Sequence, residues 1–364
     1  MRSTSFQSFR FACIYMLTIP LAFMIPPLIA TSNYQGWILI LLGGAINVVL
    51  ILCTYKLGKK ASKSSWADFG EKVAGKWGHR IIQAVLLFWS VYYVSLDMEQ
   101  FTLFYGFVYM RETPPWFLQL MVGIVIWIVA RWGFASMVYI ADGTFMIILI
   151  GIAFLLVVLS GDADYQMLPA LFNHFDIGTI SKDVISVISW IGEWFVFLYM
   201  LPEVTFDKKT LRNLLLSNAL VIFAVLLTWL LVLLNFGPHY GSHLKYPVLQ
   251  LIRGTSFTGI IGNADPVFIG LWVMSMVVHD AFLIYIGVTC MSKLFKIKET
   301  KPLLTLLMGT AIVAAYQYSR NTTTYQKDLA EQAFILFWVL IDGLPLYYLL
   351  LGLIRRSVKK KKTS

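Results

Sequence analysis

Charged residues are scarce in this sequence. Asp, Glu, Lys and Arg make up 13% of its 364 residues, against 59% hydrophobic residues, and the mean hydropathy is +0.74. Soluble domains are about 25% charged. The shortage of charge excludes a soluble globular protein and indicates that most of the chain lies in membrane-spanning segments.

Cysteine is also rare, and the patterns of common catalytic and metal sites are missing. The three cysteines, Cys13, Cys53 and Cys290, fall in apolar runs, without a disulfide framework or the spacing of a metal site. There is no nucleotide-binding loop and no Ser-His-Asp arrangement. We therefore expect no catalytic residues, no metal and no cofactor. An enzyme acting through His279 is the minor alternative.

The apolar runs predict an all-α polytopic membrane protein with about ten transmembrane helices. Their lengths are close to the roughly 20 residues that a helix needs to cross a bilayer. The ten predicted spans are residues 11–30, 37–55, 81–110, 115–130, 137–159, 184–201, 214–236, 266–292, 302–318 and 332–354.

Basic residues are distributed unevenly between the two sides of these spans. Of the 29 Lys and Arg residues, 23 lie at the termini and after even-numbered spans, and six lie after odd-numbered spans. Basic loops stay in the cytoplasm, so both termini are predicted to be cytoplasmic. Residues 355–364 form a basic tail that can contact anionic membrane lipid. The net charge of +10 thus reports topology, and no nucleic acid partner is expected.

Two of the spans are interrupted near their middle. The sixth holds Gly192 beside Glu193, and the first holds Pro20, which removes a backbone hydrogen bond and kinks a helix. These spans occupy the same position in two halves of five spans, and an odd number of spans per half gives the halves opposite orientations. Interrupted helices at matching positions predict an inverted-repeat transporter fold with its site at the midplane.

This interpretation assigns residues 1–364 to one integral membrane domain. The first repeat covers about 11–159, and the second covers about 184–318 together with the related helix 332–354. The predicted fold is thus a five-plus-five inverted repeat with helices one and six interrupted.

Ionisable residues at mid-membrane depth are Asp97, Glu99, Glu193, His279 and Asp280, with no Lys or Arg among them. Such residues are costly in a bilayer and usually mark a ligand or ion site or a buried ion pair. This set predicts a pocket that attracts a cation: a proton, a metal ion or the ammonium group of an organic molecule. Two residues apart on one helix, Asp97 and Glu99 point in different directions, and which of them faces the pocket is left open. The predicted ligand-binding residues are Thr18, Pro20, Tyr93, Asp97, Ser189, Gly192, Glu193, Trp194, His279 and Asp280.

Four segments carry a resemblance to a known family: GWILILLGGAINVVLI (36–51), WADFGEKVAGKWGHRII (66–82), YPVLQLIR (246–253) and ADPVFIGLWV (264–273). In this order and spacing they resemble the B subunit of bacterial spore germinant receptors, the GerAB-type spore germination proteins. The resemblance implies the fold of the amino acid–polyamine–organocation superfamily and residence in the spore inner membrane. It also implies an A and a C subunit as partners, and a ligand pocket among spans one, three, six and eight.

Two functions are compatible with this sequence. The first is a receptor subunit that binds a small nutrient, amino acid-like or otherwise small and polar, and triggers germination. The second is a secondary transporter that moves an amino acid or polyamine with a coupling cation. Span one contains no glycine, whereas relatives with an amino-acid pocket often unwind there at small residues, so the germinant is left open.

Overall fold

The computed structural model describes residues 5–61, 64–173, 176–254 and 265–363, and within these ranges the chain is helical with no β-strand. Its first half contains α1 (Ser5–Ile19), α2 (Ile25–Ser32), α3 (Gly36–Ala61), α4 (Trp66–Ala74), α5 (Lys76–Val108), α6 (Pro115–Trp132), α7 (Phe134–Ser160) and α8 (Ala170–Asn173). Its second half contains α9 (Ile177–Ile191), α10 (Lys208–His243), α11 (Pro247–Gly254), α12 (Asp265–Phe295), α13 (Thr300–Ser319), α14 (Thr322–Ala330), α15 (Gln332–Asp342) and α16 (Leu344–Thr363).

These helices confirm the all-α polytopic membrane fold. Seven described helices are long and apolar enough to cross a membrane, or eight if a pair bent by 52°, Gln332–Asp342 with Leu344–Arg355, is one span. One of the seven is the run Phe6–Ala61, which contains two predicted spans. Span 9 (α13) is not among them. Each of the ten predicted spans nevertheless coincides with a helix or a broken helix, and we number the spans 1 to 10 accordingly.

The sixth span is broken where the sequence predicts. Helix α9 ends at Ile191, Gly192 and Glu193 lie outside regular helix, and a 3-10 helix covers Trp194–Met200. The carbonyl oxygen of Ile191 accepts hydrogen bonds from the Asn47 side chain at 2.9 Å and from the Trp194 indole at 3.1 Å. Side chains thus replace the helical partner of this carbonyl, which is the condition for a break at membrane depth.

The first span is interrupted in a different way. A π-helical turn over Pro20–Met24 separates α1 from α2, so the backbone remains coiled. Proline supplies no N–H, and a local π turn is a common way for a helix to accommodate that loss. Pro26 lies at the start of α2, where a missing N–H is tolerated.

The tenth span contains a bend that the sequence analysis does not predict. Helix α15 ends at Asp342, Gly343 separates it from α16, and the two segments meet at 52°. Gly343 has ordinary right-handed backbone angles (φ -70°, ψ -5°), and a Cβ there would lie 3.0 Å from the Tyr347 hydroxyl oxygen. The bend places Asp342 beside the break in span 6, as described below.

One ion pair joins two spans, and another joins the short helix α11 to the start of span 8. Arg10 in span 1 lies 2.5 Å from Asp142 in span 5. Arg253 in α11 lies 2.7 Å from Asp265, which also accepts a hydrogen bond from Tyr109 at 2.5 Å. Burial alone would raise the pKa of Asp265, but the hydrogen bonds from Tyr109 and Arg253 lower it overall. Asp265 is therefore a structural residue at the start of span 8.

The Asn47 contact gives a test of the break in span 6. Asn47→Ala leaves the buried Ile191 carbonyl with one donor fewer and also removes the bond from Asn47 to Asn218 at 3.2 Å. We expect the free energy of unfolding to fall by about 1–3 kcal/mol, measured by thermal or denaturant unfolding of the purified protein in detergent. Thr228→Ala is the control, because that hydroxyl bonds only to Ala224 of its own helix. Equal stability of the two variants would contradict the role given to Asn47.

Candidate binding site

A cluster of carboxyl groups surrounds His279 where spans 3, 6 and 8 meet. Nδ1 of the imidazole lies 3.2 Å from Asp97 Oδ2 and 3.4 Å from Asp280 Oδ1, and Nε2 lies 3.6 Å from Glu193 Oε2. All four side chains are at most 4% exposed. The predicted mid-membrane residues of three spans, apart from Glu99, therefore form one buried cluster.

Two tyrosine rings pack against the imidazole of this cluster. The ring of Tyr15 in span 1 lies 4.3 Å from the imidazole, and its hydroxyl donates to Glu193 at 2.8 Å. The ring of Tyr93 in span 3 meets the imidazole edge-on at 5.2 Å. Tyr15 connects span 1 to the break in span 6, a contact that the sequence analysis does not predict.

A cavity of about 240 Å³ adjoins the cluster. Asp97 is the member of the cluster that lines it, together with residues of spans 1, 3, 6 and 10 and of the short helix α14. The lining residues are Ile19, Phe23, Pro27, Thr31, Tyr93, Leu96, Asp97, Gln100, Ser186, Ser189, Trp190, Tyr325, Leu329, Ala330, Phe334, Ile335 and Trp338.

Three of the ten predicted ligand-binding residues line this cavity: Tyr93, Asp97 and Ser189. Glu193, His279 and Asp280 lie behind Asp97 in the buried cluster. Gly192 lies at the break itself.

The other three predicted residues lie elsewhere. Thr18 donates to the carbonyl of Ile14 and lines a separate apolar pocket of about 50 Å³ between spans 1, 5 and 8. Pro20 is buried at the start of the π-helical turn. Trp194 is fully buried, whereas Trp190, one turn earlier, lines the cavity. Trp190 lies in α9 before the break, whereas Trp194 is the first residue of the 3-10 helix after it.

The structure separates Asp97 from Glu99. Asp97 faces the cavity and His279, whereas Glu99 accepts a hydrogen bond from Gln119 in span 4 at 3.0 Å and another from Ser319 in span 9. Two positions along a helix rotate a side chain by about 200°. One carboxyl therefore belongs to the candidate site and the other to the contact between spans 3, 4 and 9.

Asp342 is a buried carboxyl beside the break in span 6 that the sequence analysis missed. It is 1% exposed, and neither carboxyl oxygen has a hydrogen-bond partner within the described residues. A Cβ on Gly192 would lie 2.6 Å from its Oδ2 and 2.8 Å from the Ile188 carbonyl oxygen, so Gly192 is the residue that lets Asp342 approach the break. A carboxyl in the middle of span 10 is the signal that could have found it.

The charges of this region favour a positively charged occupant. Four carboxyl groups (Asp97, Glu193, Asp280 and Asp342) and one imidazole are buried together, and no Lys or Arg lines the cavity within the described residues. Buried carboxylates without compensation are costly, so protons or a bound cation must balance this excess.

Broken helices around a cavity in a helical membrane bundle define the architecture of secondary transporters. Two solved transporter structures share this fold. A substrate-bound, outward-open Na+-coupled sialic acid symporter matches with a TM-score of 0.68 at 11% identity, over 98% of this chain and 90% of that chain. MhsT in complex with L-phenylalanine matches with a TM-score of 0.66 at 14% identity, over 97% and 98%. At these identities the likeness shows the fold alone.

Sequence comparison gives the family. Residues 4–324 match the profile of the spore germination proteins, and the chain belongs to this family. Among its relatives, YfkT of Bacillus subtilis (strain 168) is 20% identical over an alignment of 336 residues that covers 88% of this chain and 88% of that protein. Spore germination protein XB of Bacillus anthracis is 18% identical over 264 residues, which is 72% of this chain and 73% of that protein. The resemblance read from the sequence segments is confirmed.

The close approach of Gly192 and Asp342 predicts a specific coupling. Gly192→Ala introduces a methyl group into that contact and should destabilise the protein by about 1–3 kcal/mol. Combining it with Asp342→Ala removes the nearer of the two clashing atoms, so the double variant should recover part of the loss. Unfolding of both single variants and the double variant in detergent gives the interaction free energy. Strictly additive effects would contradict the described contact.

Proposed function

We propose that this chain is the membrane subunit of a spore germinant receptor, in the spore inner membrane, with both termini cytoplasmic and an A and a C subunit as partners. It binds a small nutrient in the cavity that adjoins the His279 cluster and thereby triggers germination. The observation that carries this proposal is the cavity of about 240 Å³ with Asp97 in its wall. Membership of the spore germination protein family supports the proposed role in spore germination.

The cavity has the size and lining for a small polar molecule. A water molecule takes up about 30 Å³ in the liquid, so 240 Å³ is room for about eight waters or one small organic molecule. Asp97 offers a carboxyl to an ammonium group, and the aromatic residues Tyr93, Trp190 and Trp338 offer faces to a cation or an apolar side chain. An amino acid-like nutrient fits this combination of groups.

A ligand in this cavity can contact several spans at once. The cavity wall takes residues from spans 1, 3, 6 and 10, and Asp97 continues into the cluster that joins spans 3, 6 and 8. A ligand that prefers one arrangement of these spans shifts their equilibrium by its differential affinity. The two predicted repeats, about 11–159 and about 184–318 together with helix 332–354, are the two bodies that we propose to move relative to each other.

The second candidate is a secondary transporter for an amino acid or polyamine coupled to a cation. The fold shared with a Na+-coupled symporter favours it, but one fold serves both functions. The purified chain in proteoliposomes separates them. A transporter accumulates labelled substrate when an ion gradient is imposed, whereas a receptor subunit binds the nutrient without accumulation. Saturable gradient-driven uptake would replace our proposal with transport.

Asp97→Asn tests the proposed nutrient site. The variant keeps the size of the side chain but removes the negative charge that faces the cavity, so germination with the cognate nutrient should need at least tenfold more nutrient. Spores that carry the variant are titrated with that nutrient, and the amount of the protein in the spore membrane is measured in parallel.

Glu99→Gln is the matched control. It removes a carboxyl from the same helix, two residues away, on the side of Gln119 and Ser319. We expect its nutrient dependence to remain within about twofold of the unmodified protein. If both variants reach the membrane and respond alike, Asp97 does not contact the nutrient.

A further inference from the structure

Asp97, His279 and Asp280 are arranged as the ligands of a metal ion. One ligand atom from each residue lies within 4.8 Å of the others, and all three residues are buried. We propose that they bind a divalent transition-metal ion of the Zn²⁺ type, beneath the nutrient cavity. The site shares Asp97 with the proposed nutrient site, but it needs no nutrient to form.

The distances fit a tetrahedral ion. Zn²⁺ binds imidazole nitrogen and carboxylate oxygen at about 2.0–2.2 Å, which places neighbouring ligand atoms of a tetrahedron about 3.3–3.6 Å apart. In this protein, His279 Nδ1 lies 3.2 Å from Asp97 Oδ2 and 3.4 Å from Asp280 Oδ1. The ligand atoms of Asp97 and Asp280 lie within 4.8 Å of each other, so these two carboxyl groups need to approach by at most about 1.5 Å to reach the tetrahedral spacing.

Two carboxyl oxygens of the trio lack a hydrogen-bond partner within the described residues. They are Asp97 Oδ2, which faces the imidazole, and Asp280 Oδ2. Both oxygen atoms are themselves buried, so a water in the adjoining cavity does not reach them directly. The proton on Nδ1 can bond to one carboxylate at a time, so balancing the charge needs either a further proton shared between Asp97 and Asp280 or a divalent ion, which would neutralise both carboxylates and coordinate the nitrogen at the same time.

The second ring nitrogen has the surroundings of a metal-bound histidine. A metal-ligating imidazole almost always points its other N–H at a carboxylate, a backbone carbonyl or a water. Here Nε2 lies 3.6 Å from Glu193 Oε2, and Glu193 in turn accepts a hydrogen bond from Tyr15 at 2.8 Å. Glu193 is thus placed to orient the imidazole rather than to contact the ion.

The chemistry of the donor set selects the class of ion. An imidazole with two carboxylates suits Zn²⁺ and its first-row neighbours better than Ca²⁺ or Mg²⁺, which prefer oxygen ligands alone. Three protein ligands leave a fourth tetrahedral position. Asp97 is the ligand that reaches the cavity, so that position is expected on the cavity side and open to water, while the second carboxyl oxygen of Asp97 is left for the ammonium group of the nutrient.

Binding of Co²⁺ and Zn²⁺ to the purified full-length protein in detergent, without nutrient, tests this site. We expect one ion per chain, the visible absorption of tetrahedral Co²⁺, and its displacement by Zn²⁺. Asp280→Asn removes a ligand that does not line the cavity and should weaken binding at least 100-fold. Glu193→Gln keeps an oxygen for the Tyr15 hydroxyl but removes the negative charge beside Nε2, and it should weaken binding by about 10–100-fold.

Glu99→Gln is the control for a nonspecific effect of a lost carboxyl and should bind Co²⁺ as the unmodified protein does. Unfolding curves of each variant show whether it is folded when it is titrated. Equal Co²⁺ affinity in the unmodified protein and in folded Asp280→Asn and Glu193→Gln overturns the proposal and leaves His279 as a hydrogen-bonded partner of the carboxyls. Because no nutrient is present, this result is independent of whether Asp97 binds one.

Discussion

The structure depends on keeping several carboxyl groups away from water in the middle of the membrane. Asp97, Glu193 and Asp280 share one imidazole, and Asp342 lies beside the break in span 6 without a hydrogen-bond partner among the described residues. Buried charge is tolerated only when it is paired with an opposite charge, neutralised by a proton, or bound to a ligand or ion. The arrangement of spans 1, 3, 6, 8 and 10 around these groups satisfies part of that need and leaves the rest to a bound cation, a proton or the ammonium of a nutrient.

Much of the architecture could be predicted because membrane burial leaves strong signals in a sequence. The ten apolar runs identify the spans, and a carboxylate beside glycine in the middle of one run identifies the break at Gly192 and Glu193. The order of the family-like segments identifies the family. The form of the interruption in span 1 could not be predicted, since proline removes a hydrogen bond without specifying whether the chain unwinds or tightens into a π turn.

The site was harder to predict because its members are distant in the sequence. Asp97 and His279 are 182 residues apart, so no motif spacing reveals that they face each other, and the absence of a metal-type motif does not bear on a site assembled in this way. Trp194 was predicted because it follows Glu193 directly, but in the fold it is fully buried and Trp190 lines the cavity instead. Asp342 was missed although it is a mid-span carboxyl like the others.

The central claim is that the cavity beside Asp97 attracts positive charge, and one measurement tests it without knowledge of the nutrient. Ser189→Cys places a thiol in the cavity wall, and the natural residues Cys13, Cys53 and Cys290 are buried. The rates at which cationic and anionic methanethiosulfonate reagents of similar size label this thiol are compared. The account predicts that the cationic reagent reacts at least several-fold faster and that Asp97→Asn removes most of the difference. Faster labelling by the anionic reagent would contradict it.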